Sequence, residues 1–66
     1  MTGQELKSRR KKNFLTQKEL AKSIHCSQES ISKWEQGINP IHPITDKYIE
    51  DVFKKIEKKI RSARIE

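Results

Sequence analysis

The sequence predicts an all-α fold, a small domain of four to five helices ending in one long C-terminal helix. Three observations predict it. Large apolar residues recur at helical spacing, as in Leu20, Ala21 and Ile24, Ile31 and Trp34, and Ile49, Val52, Phe53 and Ile56. No stretch alternates polar and apolar residues as a half-buried strand would. Two segments, Thr2-Gly3-Gln4-Glu5 and Thr16-Gln17-Lys18-Glu19, carry the capping-box pattern that opens helices. A chain of 66 residues has room for one domain, spanning 1–66, and its core must be compact and local.

Taken in order, Thr2 caps a first helix that carries Leu6 and runs to about Lys12. Its basic cluster Lys7, Arg9, Arg10, Lys11 and Lys12 lies toward the negative end of the helix dipole. Asn13 suits the left-handed conformation that ends a helix, and Phe14 and Leu15 follow as apolar anchors. Thr16 caps a second helix with Leu20, Ala21 and Ile24 on its buried stripe. After His25 and Cys26, Ser27 caps a third, with Ile31 and Trp34 facing inward and Gly37 as its stop. Two short helices joined by a tight turn, over about 16–37, make a helix-turn-helix unit. Pro40 and Pro43 mark a loop, after which Thr45 or Asp46 caps a fourth helix over about 45–62. Tyr48, Ile49, Val52 and Phe53 of that helix are expected to close the core.

Charge points to the class of partner. Fifteen Lys and Arg against nine Asp and Glu give a net charge of +6 and a pI near 9.7. That excess favours a polyanion, nucleic acid first and an anionic membrane surface second. The membrane reading is the weaker, because the apolar face of the basic last helix already has a core to cover. The single Cys26 excludes an intrachain disulfide. No apolar run reaches membrane-spanning length and the N-terminus has no signal-peptide core, so a cytoplasmic location in a bacterial host is expected. His25 and His42 are the only imidazoles, with no paired Cys/His spacing and no phosphate-cradling glycine loop. No metal, no cofactor and no enzymatic activity are expected.

The segment TQKELAKSIHCSQESISKWEQG resembles the helix-turn-helix of the phage repressor and Cro family, the XRE-type regulators. Thr16, Gln17, Leu20, Ala21, Ser27, Ile31, Ser32, Trp34, Glu35 and Gly37 match that pattern, and the likeness extends over most of the chain, to about Ile56. Two positions depart from it. His25 stands where glycine is usual in the turn, and it would have to tolerate a positive backbone angle. Cys26 replaces the usual valine and is expected to be a small buried hydrophobe, with a redox role as the less favoured alternative.

The resemblance implies a lambda-repressor-like fold that binds double-stranded DNA, with the N-terminal part of the third helix in the major groove. With Ile31 and Trp34 inward, Glu29, Ser32, Lys33 and Gln36 point outward and Gln28 lies on the flank. Gln28 suits a two-point contact with adenine, Lys33 a guanine or a phosphate, and Ser32 a shorter contact. Glu29 would accept from cytosine but be repelled by phosphates. Gln17 is expected on phosphate at the start of the second helix, with Thr16, Gln36 and Asn39 holding the DNA backbone on either side. By the same resemblance Glu35 pairs with Arg10 in a structural salt bridge, which removes Arg10 from the DNA-contact set.

One long helix stands where the family usually closes with two short ones. Ile56, Ile60 and Ala63 extend past what so small a domain covers, and this apolar remainder predicts a partner helix, hence a homodimer on DNA. The function expected is a Cro-like regulator of a phage or mobile-element switch. The competing reading is an antirepressor or modulator that keeps the fold and binds a partner repressor protein, consistent with Glu29 and the uncovered helix.

Overall fold

The computed structural model describes the backbone of residues 1–65 and the side chains of residues 1–59. Four helices form in chain order: α1 Gly3–Lys12, α2 Gln17–Ser23, α3 Gln28–Glu35 and α4 Pro43–Ile65. The described residues contain no strand.

Local chemistry sets the first three helix starts. Thr2 accepts from the Glu5 amide at 3.0 Å while the Glu5 carboxylate accepts from the Thr2 amide at 3.3 Å. Thr16 and Glu19 repeat this reciprocal cap on α2, at 3.1 and 2.9 Å. Ser27 caps α3 by accepting from the Ser30 amide at 3.2 Å. Each cap satisfies amides that the first turn leaves without helical partners.

The ends of these helices differ from the sequence expectation in one place. Asn13 is the cap of α1, but at φ −95 it does not take the left-handed conformation; Phe14 does, at φ 58. Asn13 is instead pinned by its own side chain, which donates to the Arg9 carbonyl at 2.8 Å and to Glu57 at 3.1 Å. Phe14 is consequently turned out and 85% exposed, so it anchors nothing, whereas Leu15 packs on the core.

A further difference lies at the start of α4. Neither Thr45 nor Asp46 caps it. The helix begins at Pro43, whose fixed φ and missing N–H suit a first helical position. His42 stands at the cap: its carbonyl accepts from the Asp46 amide at 2.8 Å and its Nδ1 from the Ile44 amide at 3.2 Å. Asp46 pairs with the Met1 amino group.

The core is Leu6 of α1, Leu20 and Ala21 of α2, Ile24 of the turn, Ile31 of α3, and Ile49 and Phe53 of α4. Every helix thus contributes, and burying each large side chain stabilises the fold by roughly 1.5–3 kcal/mol. Trp34, Val52, Leu15 and Cys26 pack around it as half-buried neighbours. Tyr48, expected in the core, is 38% exposed and lies on the outer side of α4.

Two tertiary features fix α1 against its neighbours. Gly3 lies so close to the end of α3 that a Cβ there would fall 1.9 Å from the Trp34 carbonyl oxygen, so only glycine permits the approach. Arg9 bridges to α4, donating to Glu57 through Nε and Nη2 at 3.0 Å each and to Glu50 through Nη1 at 2.7 Å. Its guanidinium also lies 5.1 Å from the Phe53 ring centroid, within cation–π range.

Candidate nucleic-acid interface

The turn between α2 and α3 runs through Ile24, His25, Cys26 and Ser27. His25 takes the positive angle, φ 56, and is exposed. Cys26 closes the turn, its amide donating to the Ala21 carbonyl at 2.9 Å. Its thiol is half-buried rather than buried and donates to the Ser27 carbonyl at 3.5 Å. Burial pushes the Cys26 thiol up, which keeps it protonated and a poor nucleophile.

The inner side of α3 is locked. Ile31 is fully buried, and Glu35, whose side chain is only 3% exposed, receives three hydrogen bonds. Arg10 donates to it through Nε at 2.7 Å and Nη2 at 3.1 Å, a two-point fork, and Gln17 donates through Nε2 at 3.1 Å. Arg10 also reaches the Leu15 carbonyl with Nη1 at 2.8 Å. Burial would push the Glu35 carboxyl up, but the hydrogen bonds from Arg10 and Gln17 outweigh it and hold the group below the ordinary carboxylate value. Helices α1, α2 and α3 therefore meet at one carboxylate.

The outer side of α3 is open. Gln28, Glu29 and Gln36 are exposed, and Ser32 and Lys33 are half-exposed. Lys33 Nζ lies 3.2 Å from Glu29 Oε1, and Gln36 donates to Ser32 Oγ at 2.8 Å. Gln28 makes no side-chain hydrogen bond among the described residues, which leaves its donor and acceptor both available.

The other anticipated contact residues are placed differently from one another. Asn39 is exposed in the loop after α3. Thr16 is exposed but occupied by the α2 capping box. Gln17 is half-buried and turned toward Glu35, so its amide nitrogen serves the frame rather than the outer surface. Ile56 is half-buried on α4, while the side chains of Ile60 and Ala63 lie outside the described residues. Lys18 and Lys22 of α2 and Lys11 and Lys12 of α1 are exposed and supply positive charge around the unit.

The tertiary roles of Arg9 and Gly3 do not follow from their places in the basic cluster and the capping-box segment. A signal for Arg9 existed: Glu50 and Glu57 are seven residues apart and so share one face of α4, which calls for a cation opposite. The Arg9 hydrogen bonds, with that from Asn13, hold the Glu57 carboxyl down at about 2.

A helix anchored by buried contacts on one side, carried across a tight turn and offering exposed polar groups on the other, defines a helix-turn-helix unit built to present α3. The comparison with known families agrees. A helix-turn-helix family model matches residues 6–45, well over half of the chain, and the chain belongs to that family, the Cro/repressor type of DNA-binding regulator. The chain has no significant match among curated proteins or among solved structures. Among the described residues no helix is long and apolar enough to cross a membrane, and no group of His, Cys, Asp and Glu could hold a metal ion.

Proposed function

We propose that this chain is a Cro-like transcriptional regulator of a phage or mobile-element switch, placing α3 in the major groove of an operator. The observation that carries the proposal is the asymmetry of α3: Ile31 and Glu35 are held by α1 and α2, while Gln28 and its outward neighbours face solvent, where they would meet base edges. Gln28 would take adenine, Ser32 and Lys33 the neighbouring bases, and Asn39 and Gln36 the backbone. Thr16 and Gln17 would approach phosphate from α2, Gln17 through its backbone amide or its amide oxygen. Two copies would read two half-sites about one DNA turn apart. The later part of α4, with Ile56, Ile60 and Ala63, is the surface proposed for joining them.

Duplex DNA flanking the protein's own gene, compared with a scrambled duplex at low and moderate salt, tests this. The expected result is salt-sensitive binding that prefers the native flank and loses that preference in Gln28→Ala. The exposed carboxylate of Glu29 at the leading end of α3 favours a second reading, a modulator that docks on a partner repressor. Binding indifferent to sequence, together with salt-insensitive association with such a repressor, would establish that reading and reject the first.

A further inference from the structure

The charges of this chain are unevenly placed. Arg9 is held by Glu50 and Glu57, Arg10 by Glu35, and Lys33 by Glu29, so the outward side of α3 carries no net charge. The excess of cations lies elsewhere. Between residues 54 and 59 of α4 every exposed residue is a lysine: Lys54, Lys55, Lys58 and Lys59. At 100° per residue these four fall on the side of the helix away from the buried Ile49 and Phe53. None of them has an ion-pair partner among the described residues. Asp46, Glu50 and Glu57 of the same helix are turned toward the N-terminal segment and engaged there.

We propose that the lysine face of α4 is a second nucleic-acid surface, which holds the phosphate backbone of a further duplex while α3 occupies the first. Helices α3 and α4 bury Ile31, Ile49 and Phe53 in one core, so their exposed sides look away from it in different directions. A duplex seated on α3 therefore leaves the α4 lysines uncovered. The face suits backbone rather than bases, because lysine ammonium groups are point charges on flexible stems that meet phosphates without reading sequence. Four of them along about 8 Å of helix would meet a duplex that carries one charge per about 1.7 Å of axis. A protein partner fits less well, since lysine is depleted where protein surfaces meet. An anionic membrane also fits less well, because the apolar side that would enter lipid is buried at Ile49 and Phe53.

The variant K54Q/K55Q/K58Q/K59Q tests this on a scrambled duplex and on a native-flank duplex shortened to the α3 site. Its melting temperature should match the wild type, since all four side chains are exposed. Affinity for the scrambled duplex should fall by roughly tenfold or more at low salt, and the slope of log affinity against log salt should become shallower by about four. Affinity for the shortened native flank should be unchanged. Wild-type protein saturated on an immobilised native flank should capture a fluorescent scrambled duplex, and the variant should not. K54R/K55R/K58R/K59R, which keeps the charge, should behave as the wild type. Unaltered scrambled-duplex affinity and salt slope in the glutamine variant would overturn the proposal, as would a loss shared by the arginine variant, which would trace the effect to structure. An equal loss on the shortened native flank would overturn it too, by placing the lysines on the duplex that α3 meets. So would capture that persists in the glutamine variant, by assigning the second duplex to another copy's α3. A wild type with no preference for the native flank would reject the reading function alone, because the scrambled-duplex comparison stands without it.

Discussion

Two ion pairs on α3, one on each side of the helix, use the same chemistry for different ends. Arg10 and Glu35 face inward with side chains 10% and 3% exposed, while Lys33 and Glu29 face outward at 45% and 74%. The inner pair is shielded from water, joined by a two-point fork, and supported by Gln17 and the Leu15 carbonyl. The outer pair is a single contact in solvent. Burial makes a pair strict because neither charge can be left without its partner, whereas exposure makes it exchangeable. The helix is thereby fixed in place by one carboxylate and free to trade partners with the other.

The largest expected effect comes from breaking the inner pair. Glu35→Ala leaves the Arg10 guanidinium buried without a counter-charge and should cost about 3 kcal/mol of stability, read by thermal or urea unfolding. The matching outer change, Lys33→Ala, should alter stability by about 0.3 kcal/mol. Equal losses in the two variants would remove the distinction. Next in size, Gly3→Ala sharpens the comparison by displacing α3 without touching either charge. Its methyl would collide with the Trp34 backbone, and the forced shift should cost roughly 1–3 kcal/mol.

Acid provides a graded version of the same test. Glu57 and Glu35 both have native pKa values below the ordinary value of 4.5, Glu57 at about 2. A carboxylate whose folded pKa is depressed stabilises the fold fully above its unfolded pKa and loses that contribution as pH falls through its folded one. Unfolding free energy should therefore stay level above about pH 5 and decline steadily toward pH 2. Glu57 is 38% exposed, so its share after solvent screening is about 1 kcal/mol, and Glu57→Gln should flatten the decline by that amount. The last change expected is a gain. Phe14 holds a left-handed backbone while exposed to water, and Phe14→Gly should raise stability by about 1 kcal/mol.

The parts of the fold legible in the sequence were those governed by local rules. Thr2 with Glu5, Thr16 with Glu19, and Ser27 each sit immediately before the helix they cap, so spacing alone identifies them. The buried residues Leu20, Ile24, Ile31, Ile49 and Phe53 follow from periodicity for the same reason. Pro43 is pre-shaped for a first helical position, yet it reads as a loop residue in the sequence because Thr45 and Asp46 are stronger capping residues, which sets the boundary two residues late.

The remainder depended on tertiary contact. Nothing near Gly3 in the chain announces the Trp34 carbonyl, and Arg9 is indistinguishable by composition from the lysines around it until α4 supplies Glu50 and Glu57. Asn13 keeps out of the left-handed region with its amide donating to the Arg9 carbonyl and to Glu57, and the second of these contacts exists only once α4 is in place. At the interface, the outward set on α3 came from helical phase alone. The engagement of Gln17 with Glu35 and of Lys33 with Glu29 required side-chain positions.

The central claim is that α3 has a structural side and a reading side. Measuring melting temperature and affinity for the native flanking duplex in Gln28→Ala and Glu35→Ala tests it most directly. Gln28→Ala should melt with the wild type yet lose its preference for the native flank, whereas Glu35→Ala should melt far lower and lose binding only as it unfolds. A Glu35→Ala variant that kept full stability but bound poorly, or a Gln28→Ala variant that still discriminated between duplexes, would contradict the account.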